Sequence, residues 1–187
     1  MLELLVLGAI AVTGVAMYNS LVKLGTQAEA AWADIDVQLK RRHDLIPNLV
    51  ETVKGYASHE RQTLEAVTAA RSRAMSAQGP AAKAEAEGML AGALKSLFAL
   101  SEAYPALQAA GGFRDLQETL TGLEDHIQQA RRYYNAVVRD YNTKLQQVPS
   151  NLIAKAFNFG EREFFEIPDV EKAVPQVNFG GDKPSGP

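Results

Sequence analysis

The chain has 187 residues, a mass of 20.3 kDa and a net charge of -3, which suits one ordinary domain and is too little for two. It contains no cysteine, which excludes disulfides, thiolate metal sites, iron–sulfur clusters and a cysteine nucleophile. A pI near 5.7 leaves no basic footprint for nucleic acid, and the alanine-rich, aromatic-poor composition favours helices.

No charge falls between Glu3 and Lys23. The intervening run, Leu4 to Val22, rises about 28 Å as a helix, close to the roughly 30 Å hydrocarbon thickness of a bilayer. A cleaved signal peptide would carry basic residues before the run and a small-x-small site after it, and the sequence has neither. Residues 1–22 are therefore expected to form an uncleaved, single-pass transmembrane anchor. Within it Ala9, Thr13, Ala16 and Ser20 recur at helical spacing, a small-residue stripe that lets helices approach closely in lipid. Basic residues come only after the run, at Lys23 and then Lys40, Arg41 and Arg42, so the positive-inside rule places the C-terminal body in the cytoplasm.

Apolar residues then recur every three or four positions, the mark of helices that bury one stripe. The first stripe is Leu21, Gly25, Ala28, Trp32, Ile35 and Leu39. Nothing stops this helix between the anchor and His43, so one continuous helix from about Leu2 to His43 is expected. A break at His43–Pro47 then starts a second helix carrying Leu49, Val53, Tyr56, Leu64, Val67 and Ala74; a run through Pro47 to Gly55 is the alternative. The third places Leu90, Ala93, Leu97, Leu100, Tyr104 and Leu107 on one face, with a kink at Pro105 and an end at Gly111-Gly112. The fourth carries Leu116, Leu120, Leu123, Ile127, Ala130, Tyr134, Val137, Tyr141 and then Leu145 or Val148, and stops at Pro149.

No stretch alternates with period two, so the expected fold is all-α: a membrane-anchored, up-and-down four-helix bundle with long antiparallel helices packed like a coiled coil over residues 23–148. Residues 149–167 hold Phe157, Phe159, Phe164 and Phe165 and should pack on the bundle. Residues 168–187 turn to proline, glycine and charge and read as a flexible tail.

The sequence offers little chemistry. A di-iron bundle needs Glu-x-x-His, yet the residues three before His43, His59 and His126 are Lys40, Tyr56 and Leu123. His59-Glu60 begins a zinc motif that fails at Thr63. No phosphate loop or nucleophile elbow is present. No metal, cofactor or catalytic residue is assigned. Tyr133-Tyr134-Asn135 and Tyr141-Asn142 repeat a Tyr-Asn pair one heptad apart, and there each asparagine is expected to satisfy neighbours or a partner helix. The densest polar grouping surrounds the expected 1–2 connection: Asp36, Arg41, His43, Asp44, Asn48 and Glu51, a candidate interaction cluster.

Several of these segments resemble one bacterial family. Tyr18-Asn19-Ser20-Leu21-Val22, Ala31-Trp32, Ile35 to Arg42, Asp44 to Tyr56, Glu102-Ala103-Tyr104-Pro105, Tyr133-Tyr134-Asn135 and Pro149 to Ala154 together are similar to the signature of LemA family proteins. The resemblance implies a membrane-anchored helical bundle with no established enzymatic activity and no catalytic residues to carry over. Relatives include a protein of magnetosome membranes, and some family genes sit beside those of membrane metalloproteases. The expected function is a tethered scaffold acting by protein–protein association in membrane organisation or quality control. Its expected partners are the lipid bilayer, copies of itself as a homo-oligomer and a membrane protein such as a protease. A ligand-binding or signalling module built on residues 36–51 is the alternative.

Overall fold

The computed structural model describes residues 1–166. The tail expected over 168–187, and Ile167, lie outside the described residues. Among the described residues 85% are helical and none forms a strand. Helix α1 spans Leu2–Tyr56, α2 Arg61–Ser76, α3 Pro80–Ser101, α4 Pro105–Ala109, α5 Gly111–Gln146 and α6 Ser150–Ala156.

Helix α1 is the axis of the molecule. Its 55 residues rise about 80 Å. Its buried stripe runs Leu21, Gly25, Ala28, Ala31, Ile35, Leu39, Ile46, Leu49 and Val53. Helix α5 packs along this stripe in the opposite sense. Leu21 clusters with Tyr141 and Leu145, Ile35 with Tyr134 and Val138, and Ile46 with Leu120 and Phe113. Helices α2 and α3 form a hairpin on the half of α1 beyond residue 36. Gly79 turns the chain between them with φ +77°, a backbone region that favours glycine. The first twenty residues of the chain protrude. Within its first twenty residues none is buried, and Leu2, Leu4, Leu5, Leu7, Ile10 and Val12 are exposed.

The expected break at His43–Pro47 does not occur. Helix α1 runs through Pro47 and ends at Tyr56, and the second helix opens only at Arg61. Proline costs a helix the hydrogen bond to the carbonyl four residues back, here that of His43. That carbonyl is not left bare: the Arg71 side chain on α2 donates Nε–H to His43 O at 2.8 Å. The neighbouring helix replaces the bond that proline removes, and α1 stays continuous. The loss is repaired in trans.

The third expected helix also divides. Helix α3 stops at Ser101 instead of kinking at Pro105, because the residue before a proline avoids helical torsions and Tyr104 adopts φ -122°, ψ 82°. Pro105 then opens α4, where its missing N–H costs nothing. Gly111-Gly112, expected to end the third helix, instead open α5.

Arg71→Ala should destabilise the protein by about 1–3 kcal/mol, the cost of an unpaired buried carbonyl. Restoring the backbone N–H with Pro47→Ala should remove more than half of that cost. Urea denaturation of the four members of this cycle measures the coupling; equal costs of Arg71→Ala in both backgrounds would refute the compensation.

Candidate functional site

One turn of α1 gathers the buried charge. Arg42 and His43 are both buried, as is Glu87 of α3, whose side chain is fully enclosed. His43 Nε2 lies 2.6 Å from Glu87 Oε1. Arg42 Nη1 donates to Glu124 Oε2 of α5 at 2.8 Å, and its Nη2 reaches the Glu87 carbonyl at 3.4 Å. Glu87 Oε2 sits 3.8 Å from Arg42 Nη2 and accepts no hydrogen bond; Arg42 Nε likewise donates none. With Arg71 on the His43 carbonyl, this single turn makes polar contacts with α2, α3 and α5. Consecutive residues on a helix point about 100° apart, so Arg42 and His43 can address different neighbours. Arg42 and Glu124 also border an open groove between α3 and α5 with Lys95, Phe98, Arg114 and Gln117.

The structure distributes the six residues of the candidate interaction cluster. His43 joins the buried node. Asp36 pairs with Lys83 at 2.6 Å, and Lys83 also lies over the Trp32 ring. Arg41, Asp44, Asn48 and Glu51 fall at spacings of three and four along the unbroken α1, on one exposed face. They share a stripe and enclose no pocket together. Arg42, Arg71, Glu87 and Glu124 were not singled out from the sequence as a cluster. The one available signal was the basic run through Arg42-His43, placed where buried positions of the stripe must fall. Among the described residues no group of three His, Asp or Glu side chains converges as a metal site.

A second arrangement ties the end of the described chain to α5. Asn135 donates from Nδ2 to the carbonyl of Phe165 and accepts from its N–H through Oδ1, at 3.1 and 2.9 Å. Asn142 does the same to Arg162, at 2.9 Å for both bonds. Each carboxamide thus pairs with one residue's backbone as a neighbouring strand would. The registers match: seven helical residues rise about 10.5 Å, and three extended residues span about 10 Å. Tyr134 donates its hydroxyl to the Glu163 carbonyl at 2.8 Å. Phe165 is fully buried, edge-on to Trp32 at 5.5 Å. Arg162 returns to α1, pairing with Glu29 at 2.6 Å and stacking over Tyr141.

Two tyrosines have phenols shifted upward. Tyr104 donates to Glu60 at 2.8 Å, and this bond, more than burial, raises its phenol above the ordinary value. Burial raises Tyr134, against the lowering effect of the Arg162 charge and with a smaller upward contribution from Glu163. A phenol raised in the folded state contributes stability that is fully present below the unfolded value near pH 10 and lost as pH climbs through the folded one.

The small-residue stripe of α1 faces two ways. Ala9 and Thr13 border an apolar groove with Gly14 and Met17 on α1 and Leu152 and Ile153 on α6, while Ala16 stays exposed and Ser20 is half-buried. Thr13 returns its hydroxyl to the Ala9 carbonyl at 2.8 Å, the local bond that satisfies a hydroxyl on an apolar helix.

These features define an all-helical protein whose leading helix is exposed over its first turns and uncharged from Leu4 to Val22, and whose body is pinned by buried charge. The chain belongs to the LemA family, whose model matches residues 31–179. It is 27% identical to magnetosome protein MamQ of Magnetospirillum gryphiswaldense, an alignment covering 86% of this chain and 70% of that one. It is 25% identical to MamQ 1 of Paramagnetospirillum magneticum, over 80% of this chain and 64% of the relative. With protein LemA of Metamycoplasma hominis it shares 23% identity over 82% of this chain and 71% of the relative. The chain thus spans just under two thirds of the length of the Paramagnetospirillum relative.

Glu87→Ala should cost about 3–5 kcal/mol in urea denaturation, since it strands Arg42 and His43 in the interior. A loss below about 1 kcal/mol would mean the node is not coupled to folding. For the asparagine pair the reporter is Trp32, the sole tryptophan. Asn135→Ala should cost about 1–3 kcal/mol and shift Trp32 emission to the red as Phe165 leaves it. An unchanged spectrum would refute the clamp.

Proposed function

We propose that the protein is a single-pass membrane scaffold: a four-helix bundle held at the bacterial inner membrane by residues 1–22 and acting through association with copies of itself and with membrane-protein partners. No catalytic step is assigned to it. The observation that carries this reading is the exposed, uncharged start of α1. It continues without a break into the rod on which the body is built. An apolar helix of that length left outside the folded body is unfavourable in water and favourable in a bilayer. The magnetosome relatives support a setting at membranes. The body lies on the cytoplasmic side, as the basic residues after the span direct.

A stiff α1 gives the scaffold its reach, and its exposed face with Arg41, Asp44, Asn48 and Glu51 offers a continuous polar surface for association. The alternative, a ligand-binding or signalling module at residues 36–51, draws on the groove beside Arg42, with Lys95 and Arg114 near it.

Full-length protein purified in detergent should scatter light as an oligomer, with a protein mass at least twice 20.3 kDa after subtraction of the micelle. A strict monomer at high concentration would overturn self-assembly.

A further inference from the structure

We propose that the segment from Val148 to Phe157, with α6 at its centre, is a second membrane contact that dips into the leaflet beside the anchor; the proposal builds on the reading of residues 1–22 as a span. Three observations converge on it. First, α6 packs on the apolar part of α1 and not on the body alone. Leu152 and Ile153 share a groove with Val6, Ala9, Ile10, Thr13, Gly14 and Met17. Ile153 Cδ1 comes within 3.8 Å of a Cβ built on Gly14. Gly14 lies eight residues before Val22, the end of the uncharged run, which is about 12 Å along the helix. Whatever surrounds the second half of that run must also surround α6.

Second, α6 is two-faced. Ala154 and Ser150 are buried, Ala154 in a cluster with Leu21, Tyr141 and Leu145. Large apolar side chains stand outward on and beside it, around the one exposed charge of Lys155: Val148 is 80% exposed, Leu152 64% and Phe157 58%. Large apolar side chains this open, side by side with an exposed apolar helix, make one continuous greasy surface. Third, the level is marked by aromatic rings. Tyr18 of α1 meets Phe157 at 4.8 Å and Phe159 at 5.6 Å, centroid to centroid. Rings gathered around one level of a span suit the zone between acyl chains and headgroups. Lys155, exposed on α6, carries a charge that can reach the headgroups along its apolar stem.

The occupant of the Val148–Leu152–Phe157 surface is therefore the lipid acyl region beside the anchor, on the side facing the body. A second contact point fixes the rotation and tilt of the anchor, which one helix alone leaves free.

The chain has no native cysteine, so single cysteines can be placed on a clean background. Val12→Cys, Leu152→Cys, Phe157→Cys and Thr119→Cys are each labelled with an environment-sensitive fluorophore in the full chain. The labelled proteins are reconstituted into vesicles of phosphatidylcholine and phosphatidylglycerol containing lipids that quench from the acyl chain. Position 12 reports the anchor, and position 119, on exposed α5 far from α6, reports the solvent. The expected result is quenching at 152 and 157 within twofold of that at 12, with little at 119. Quenching at 12 but solvent-like behaviour at 152 and 157 would overturn the second contact and leave the anchor standing. Loss of quenching at all four positions would overturn both. Quenching at 152 and 157 without quenching at 12 would support the α6 contact and overturn the anchor. Leu152→Glu should reduce the quenching at 157 by at least half, whereas its retention would count against insertion.

Discussion

The hydrogen bond from Arg71 to the His43 carbonyl governs the shape of this protein. Proline inside a helix ordinarily ends or kinks it, and Pro47 sits within the stretch of α1 that the hairpin grips, after Asp36 and His43 and before the helix ends at Tyr56. A guanidinium from α2 takes up the released carbonyl, and the helix passes straight through. Continuity of α1 is thus a tertiary property. It depends on α2 being docked, so the rod and the body form together.

The buried charges beside that bond follow the same logic. Arg42, Glu87 and Glu124 place paired charge at the point where α1, α3 and α5 meet, with His43 hydrogen-bonded to Glu87. Such a cluster contributes little net stability over a well-packed apolar core, yet it strongly penalises any register that parts the charges. Packing of leucine and alanine stripes alone would permit helices to slide by a turn; the node does not. At the far end of the seam Asn135 and Asn142 perform the equivalent task with neutral groups, setting the position of the extended segment that closes over Trp32.

Much of this was legible in the residues. The stripes of α1 and α5 follow directly from the spacing of Leu21, Ile35, Leu39, Ile127, Tyr134 and Tyr141, because a buried face imposes its period on the sequence. The uncharged opening run is equally plain. What escaped were effects that depend on a residue distant in sequence. Pro47 carries a local signal to stop, and nothing near it announces Arg71. Glu87 lies among alanines on α3 and gives no sign that it is enclosed. The heptad spacing of Asn135 and Asn142 is visible, but its match to three extended residues appears only once the segment from Arg162 to Phe165 lies beside the helix. Pro105 differs in kind: the preference of proline for the first turn of a helix outweighs its capacity to kink one.

The central claim, a single unbroken α1 joining the apolar segment to the far end of the body, is open to a direct distance measurement. Spin labels at Lys23→Cys and Lys54→Cys, both on exposed positions of α1, bracket Pro47. Pulsed electron resonance on the reconstituted full chain should give one narrow distribution centred at about 46 Å, the rise of 31 helical residues. A distribution centred below about 30 Å, as a chain folding back at Pro47 would give, would contradict it.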